Sequence, residues 1–171
     1  KSEIERKHLV FYGADEYVSS VPLKKILCDN SRKKNCLLAT KMNEEPLSLD
    51  HGFPVRVLLP GIVGARSVKW LIKVELKNEE TKTCWNKYFY RKNGQSCMEI
   101  PLNSLITQIK HEKDVYIISG IAYGDGEIIK NVEVSIDKGK SWTVVSSQND
   151  SNRDNLETSI YGWANWEYHL P

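Results

Sequence analysis

The stretch from Asp50 to Leu71, DHGFPVRVLLPGIVGARSVKWL, constrains the chain more than any other part of it. It sets His51, Arg56, Arg66 and Lys69 into one strand-like apolar run. That run is broken at Pro60-Gly61 and again at a Gly64-Ala65-Arg66-Ser67 turn, after which Val68, Trp70 and Leu71 resume it. A plain core strand would not carry Arg56 between Val55 and Val57, because a guanidinium buried without a partner is costly. Two readings of Arg56 are open. A planar, permanently charged fork on a rigid apolar frame suits phosphate recognition. The ordinary alternative is a pairing with a nearby carboxylate.

Composition narrows the class. With 171 residues the chain can hold one domain or two small ones, and a net charge of +2 gives no electrostatic case for nucleic acid. The apolar runs, such as Val57 to Leu59, are far too short to span a bilayer, and no targeting leader is legible. Arg32-Lys33-Lys34 reads as a solvated face. Cys28, Cys36, Cys84 and Cys97 lack CxxC spacing, so free structural thiols are expected, with a disulfide as the alternative and no zinc site.

The pattern predicts two halves. In the first, His8–Tyr12, Cys36–Met42 and Val68–Leu76 read as strands, and Trp85–Tyr90 as an aromatic-rich strand. Val21 to Leu27 reads as a helix opening with Ser20 as N-cap and Pro22 in the first turn. Asn43–Glu45 and Asn78–Lys82 read as polar turns. Past Gly94 the chain looks all-β, with a strand over Asp114–Tyr123 broken at Gly120 and a turn at Gly124-Asp125-Gly126. Val132, Val134 and Ile136 alternate with polar residues, Asp137 to Lys140 forms a hairpin loop, and Trp142–Val145 returns. A hydrophilic loop at Gln148–Asn155 precedes a last strand lined by Trp166, Tyr168 and Leu170. Short strands between regular turns suggest a sandwich, with the boundary near residue 100.

The Asp50–Leu71 segment resembles, nearly residue for residue, the molybdopterin-binding segment of the sulfite oxidase family, DHGFP-x-R-x-x-x-PG-x-x-GAR-x-VKWL. The second half is similar to that family's immunoglobulin-like dimerisation domain. Its matching stretches are Pro101 to Ile106, Ser119 to Tyr123, and Val132 to Trp142. Assimilatory nitrate reductases share the scaffold but read Gly-Gly-Arg-Met-Val-Lys-Trp here, so Gly64-Ala65-Arg66-Ser67 tips the reading toward sulfite. The resemblance implies an α+β molybdopterin domain, in part, over residues 1–98. It implies an incomplete immunoglobulin-like sandwich over 99–171.

The resemblance also assigns roles. Asp15, in an F-x-G-x-D context, would accept N–H bonds from the pterin edge; a turn-capping Asp is the common alternative. His51 would be a cofactor ligand, where a lone loop His is otherwise polar surface. Arg56 would anchor the phosphate or pterin, with Ser67, Val68 and Lys69 as the other side of the cradle. Tyr90, five residues after Trp85, would place its hydroxyl near the metal's oxo group, with Tyr88 as second choice and an aromatic packing cluster as the alternative. No residue here is assigned as a metal ligand: the family's molybdenum-binding Cys lies upstream of anything present, and its substrate-binding Arg would fall beyond Pro171. After Tyr90 the chain reaches Pro101 sooner than animal and plant relatives do.

The implied function is oxidation of sulfite to sulfate with Mo-molybdopterin, by two-electron oxo transfer followed by one-electron reoxidation. The stretch alone is expected to be inactive. Electrons would pass to haem b in a separate domain, to cytochrome c or another acceptor, or to oxygen. The implied assembly is a homodimer without a membrane span or nucleic acid. The implied place is the mitochondrial intermembrane space, with peroxisomal or cytoplasmic sites as alternatives. Competing readings are a nitrate reductase of the same fold and a non-catalytic dimerisation or binding protein.

Overall fold

The computed structural model describes residues 3–27, 36–124, 129, 131–145 and 162–170. By its internal packing the chain divides into two units, Lys1–Ile100 and Pro101–Pro171. Strands and turns dominate both. The expectations for Cys28, for residues 32–34, for the turn at residues 125–126 and for the loop over 148–155 fall outside the described residues.

The first unit is built on a three-stranded antiparallel sheet. Its central strand is β1 (His8–Gly13), flanked by β2 (Val18–Pro22) and, further along the chain, by β7 (Leu71–Lys77). The run HLVFYG has the apolar, aromatic content that a strand covered on both faces needs. Val10 and Phe11, which point to opposite faces, are both buried. Phe11 and Val21 join Val57, Leu59, Ile62 and Val68 in one core, with Tyr17, Ile26 and Leu71 packed against it. Each such side chain contributes roughly 1.5–3 kcal/mol on full burial.

Between these strands lie β3 (Leu37–Ala39), β4 (Lys41–Met42), β5 (Glu45–Pro46) and β6 (Arg56–Leu58), followed after β7 by β8 (Arg91–Lys92) and β9 (Gln95–Ser96). β4–β5 and β8–β9 are tight hairpins whose turn residues have positive φ, at Asn43 and Glu44 and at Asn93 and Gly94. That is the geometry two-residue hairpin loops demand. β3 pairs with β6, setting Ala39 opposite Arg56. The expected single strand over Cys36–Met42 is therefore two strands split at Thr40.

Three local expectations are corrected here. Ser20 is not an N-cap and Pro22 does not open a helix. Val18–Pro22 pairs with β1, and α1 (Leu23–Leu27) begins only after Pro22, at the end of a strand where its missing N–H costs no ladder bond. Ser20 Oγ is engaged instead by Thr81. Trp85–Tyr90 is not a strand: Trp85–Phe89 forms a π turn, closed by Tyr90 N–H on the Trp85 carbonyl at 3.0 Å. A helical turn brings Trp85 and Phe89 together, with ring centroids 5.1 Å apart, and turns Asn86 inward. In β7, Ile72, Val74 and Leu76 share one face, and all three are exposed.

The second unit holds a three-stranded antiparallel sheet in the order β10 (Asn103–Glu112), β11 (Val115–Tyr123), β14 (Ala164–Leu170). A two-stranded pair, β12 (Val132–Val134) and β13 (Thr143–Val145), accompanies it. β10 and β11 form a hairpin through Lys113 and Asp114, both at positive φ, so the strand expected from Asp114 starts one residue later. Gly120 does not break β11. It is buried mid-strand because a Cβ there would overlap the Trp166 ring and the Leu105 carbonyl oxygen. Trp166 is itself buried and donates its indole N–H to Ser104 Oγ at 3.0 Å. Gly120→Ala should cost about 1–3 kcal/mol of stability through overpacking. An unchanged unfolding midpoint for this variant would contradict the packing described.

The β12–β13 connection is organised by one carboxylate. Asp137 accepts the Lys140 and Ser141 amides at 3.0 and 2.9 Å and the Ser141 hydroxyl at 2.7 Å. These bonds, those from Ser141 foremost, hold its carboxyl down at about 2 against an ordinary 3.8. The folded value is the lower one, so the carboxylate's contribution is present above 3.8 and fades as pH falls toward 2. The Lys140 and Ser141 amide resonances should titrate with a midpoint near 2. A midpoint near 3.8 would show that the loop does not grip Asp137.

Candidate functional site

A cleft of about 350 Å³ opens in the first unit where three stretches meet. The β1–β2 turn brings Asp15 and Tyr17, the Gly64–Arg66 turn and its continuation bring Ser67, Val68, Lys69 and Trp70, and the π turn brings Trp85 and Tyr90. Of the residues singled out by sequence, Asp15, Ser67, Val68, Lys69 and Tyr90 line this cleft. His51 and Arg56 do not; they stand behind Lys69.

The geometry explains how. Val57 N–H donates to the Val68 carbonyl, and Leu71 N–H to the Val55 carbonyl, each at 2.8 Å. Arg56 is thereby held between two rungs, alongside Lys69 and Trp70. Gly52, at φ 101°, is wedged against the Lys69 and Arg56 side-chain stems, and any Cβ there would collide with Lys69. Lys69 Nζ donates to the Asp50 carbonyl at 2.9 Å and sits 4.4 Å from the centre of the Trp70 ring. Trp70 is pinned in turn, its indole N–H on the Leu49 carbonyl at 2.9 Å and its own carbonyl accepting Ala14 N–H at 2.9 Å.

Individual side chains are committed to different degrees. Asp15 is exposed and accepts Tyr17 N–H at 3.2 Å, so it caps its own turn while facing the cleft. His51 Nδ1 lies 2.7 Å from Ser48 Oγ, which fixes the ring and leaves Nε2 to turn outward. Ser67 spends its N–H on Gly64 and accepts Leu59 N–H at 3.1 Å, so it mainly holds the turn. Arg56 Nη1 donates to the His51 carbonyl at 3.2 Å, while its Nε is buried with no hydrogen-bond partner among the described residues. A buried guanidinium N–H left idle is costly unless an external acceptor completes it.

Sequence reasoning missed Tyr17. Its hydroxyl donates to the Ala65 carbonyl at 2.8 Å across the cleft floor. Burial, and then the neighbouring Tyr90, push its phenol above the ordinary range, so it stays a neutral donor. The only signal available was its place two residues after Asp15. Trp70, read only as part of the resumed apolar run, lines the cleft as well.

The donor set fits an anionic, heteroaromatic group. It offers two cations (Arg56 and Lys69), an outward imidazole, a carboxylate for an amide-like edge, phenols, and two indole faces. Among the described residues no helix is long and apolar enough to cross a membrane, and Cys36, Cys84 and Cys97 form no disulfide with one another.

Two domain families match the chain. Residues 2–85 match the oxidoreductase molybdopterin binding domain, and residues 86–171 match the Mo-co oxidoreductase dimerisation domain. The mitochondrial sulfite oxidase of Drosophila melanogaster is 32% identical over 98% of this chain and 33% of its own length. That of Homo sapiens is 32% identical over 96% and 33%. A nitrate reductase [NADPH] of Beauveria bassiana is 28% identical over 96% of this chain and 24% of its own length. The crystal structure of the sulfane dehydrogenase SoxCD from Paracoccus pantotrophus shares the fold, with a TM-score of 0.75 and 24% identity over 97% of this chain and 43% of that one. The chain spans about a third of the length of the sulfite oxidases it matches (33% in both).

Proposed function

The chain belongs to the sulfite oxidase family of molybdopterin oxidoreductases, and on that premise we propose that the intact protein oxidises sulfite to sulfate. This stretch would supply much of its cofactor cradle. The observation that carries the reading is a cleft that gathers Asp15, Lys69 and Tyr90, with Arg56, whose Nε has no hydrogen-bond partner among the described residues, meeting the Lys69 stem at Gly52. Arg56 would grip the cofactor's phosphate as a fork and Lys69 as a point charge. Asp15 would accept N–H groups of the pterin edge, and His51 would offer its free ring nitrogen. Ser67 and Val68 would shape the wall by holding the Gly64–Arg66 turn against β6. When bound, Mo-molybdopterin supplies the two-electron redox centre and the oxygen that passes to sulfite.

Tyr90 is assigned the substrate side. A phenol that donates while remaining neutral can orient an oxyanion without adding charge. The second unit, which lies inside the 86–171 match to the dimerisation domain, would form an immunoglobulin-like sandwich in the complete protein and carry a homodimer contact. Single electrons would leave to haem b in another domain, to cytochrome c or another acceptor, or to oxygen. Relatives named as mitochondrial support a mitochondrial place, within which the intermembrane space is our reading. The second reading, a nitrate reductase, is favoured by reductases of Beauveria bassiana and Glycine max that are 28% and 30% identical.

Molybdenum and pterin analysis of the full-length protein, with turnover on sulfite and on nitrate, tests this assignment. Turnover on nitrate but not sulfite would reverse it. In the same protein Tyr90→Phe should keep the cofactor and slow turnover by about 10- to 100-fold, the effect of a contact felt in the transition state. An unchanged rate would remove Tyr90 from the reaction.

A further inference from the structure

The walls of the cleft come from stretches far apart in the chain, and one buried side chain reaches all of them. Arg66 is fully buried at the end of the Gly64–Arg66 turn, the residue before Ser67. Its Nη1 donates to Asn86 Oδ1 at 2.7 Å, to the Ser20 carbonyl at 3.3 Å and to Ser19 Oγ at 3.4 Å. Its Nη2 donates to Ser96 Oγ at 2.9 Å and to the Cys97 carbonyl at 3.3 Å, and Glu80 Oε1 lies 3.5 Å away.

Asn86 is the receiving end. It is 1% exposed and sits inside the π turn between Trp85 and Tyr90. Its amide nitrogen is fixed by Thr81, and its carbonyl accepts Arg91 Nε at 3.0 Å. Arg91 Nη2 holds the second Glu80 oxygen at 3.0 Å, while Ser96 Oγ donates to the first. Beyond the turn, Tyr90's carbonyl accepts Cys97 N–H at 2.8 Å, next to the carbonyl that Arg66 also holds.

We propose that Arg66 and Asn86 are positioning residues: the guanidinium–amide link between them sets Tyr90 and Trp85 against the Ser67–Lys69 wall of the cleft. A buried ion cluster adds little net stability compared with an apolar plug of the same size. What a plug lacks is direction. A planar fork fixes the orientation of the partners its two terminal nitrogens reach, with Nε buried and unbonded among the described residues, and a π turn, with its widened ring, has weak intrinsic geometry of its own. The Arg66–Asn86 bond therefore acts on where Tyr90 stands, while the other bonds of Arg66, to Ser19, Ser20, Ser96 and Cys97, hold the unit together. This rests on the cofactor reading of the cleft above.

The test uses the full-length protein with Asn86→Leu and Asn86→Asp. The leucine fills the space without an acceptor; the aspartate keeps an oxygen for Arg66. Asn86→Leu should speed hydrogen exchange at the Tyr90 and Cys97 amides on the order of tenfold, with the β1 amides unchanged. Turnover per bound molybdenum should fall by a similar factor, roughly tenfold, with KM little altered. Asn86→Asp should restore both exchange protection and turnover. Unchanged exchange at Tyr90 and Cys97 in Asn86→Leu would overturn the proposal. So would equal acceleration throughout β1, or an aspartate variant that behaves like the leucine. If the wild-type protein binds no molybdenum or pterin, the cofactor reading fails by itself, and the exchange pattern still decides whether the link places the turn.

Discussion

Arg56→Gln in the full-length protein is expected to strip most of the molybdopterin while leaving the fold in place. The residue is held between the Val55–Leu71 and Val57–Val68 rungs, and among the described residues its guanidinium donates to the His51 carbonyl. Its Nε is buried and idle, so the side chain contributes little to the protein's own bonding and is poised for an external acceptor. Glutamine keeps an amide donor but loses the charge and the fork. Losing a charge-assisted contact to a buried anion costs about 2–5 kcal/mol, which lowers affinity between tens- and thousands-fold. Molybdenum and pterin per protomer report the loss, and a thermal scan of the cofactor-free protein separates it from unfolding. Full occupancy would mean that Arg56 has been misassigned.

Arg66→Met should do the reverse, weakening the fold itself. The methionine fills much of the volume but leaves Asn86 Oδ1 and the Ser20 and Cys97 carbonyls without a donor. Glu80, 19% exposed at its side chain, would keep only Arg91 as a cationic partner. Removing one member of a buried charged cluster costs about 3–5 kcal/mol, because the remaining groups stay desolvated and unpaired. The slowest-exchanging amides of β1 and β2 in the full-length protein should lose protection by that amount. A loss below about 1 kcal/mol would show that water satisfies the abandoned groups. The paired change Arg66→Met with Glu80→Leu should recover part of the loss, since it removes the stranded carboxylate.

These two arginines, ten residues apart in one motif, show what could be read in advance. Arg56 was legible because its neighbours are apolar on both sides and no local carboxylate answers it. The Pro60-Gly61 break was legible too, and Gly61 adopts the positive φ that such a stop uses. The hairpin at Asp137–Lys140 could be read from turn residues alone, because the bonds that make it run between residues at most four apart.

Other features depended on distant partners. Trp85 to Tyr90 carries aromatic residues at spacings that a strand and a helical turn serve equally well, and six residues are too few for either period to win. The decision comes from Arg66, twenty positions earlier, whose guanidinium draws Asn86 inward. Ser20 looked like a helix cap because the residues after it favour a helix. Its backbone instead found β1, and its hydroxyl found Thr81, 61 positions away. Tyr17 was marked locally only by its place two residues after Asp15; its bond to the Ala65 carbonyl makes it part of the cleft.

The sequence by itself thus determined the chemistry of the proposed cradle: a fork, a point charge, an imidazole and a carboxylate in the order the family resemblance implies. Those properties belong to single residues and survive in any surroundings. The tertiary structure alone decided which of the cations faces the cleft and which is buried beneath it, and where Tyr90 stands. Those outcomes depend on hydrogen bonds that close only when segments 20 to 60 positions apart meet in a space that excludes water.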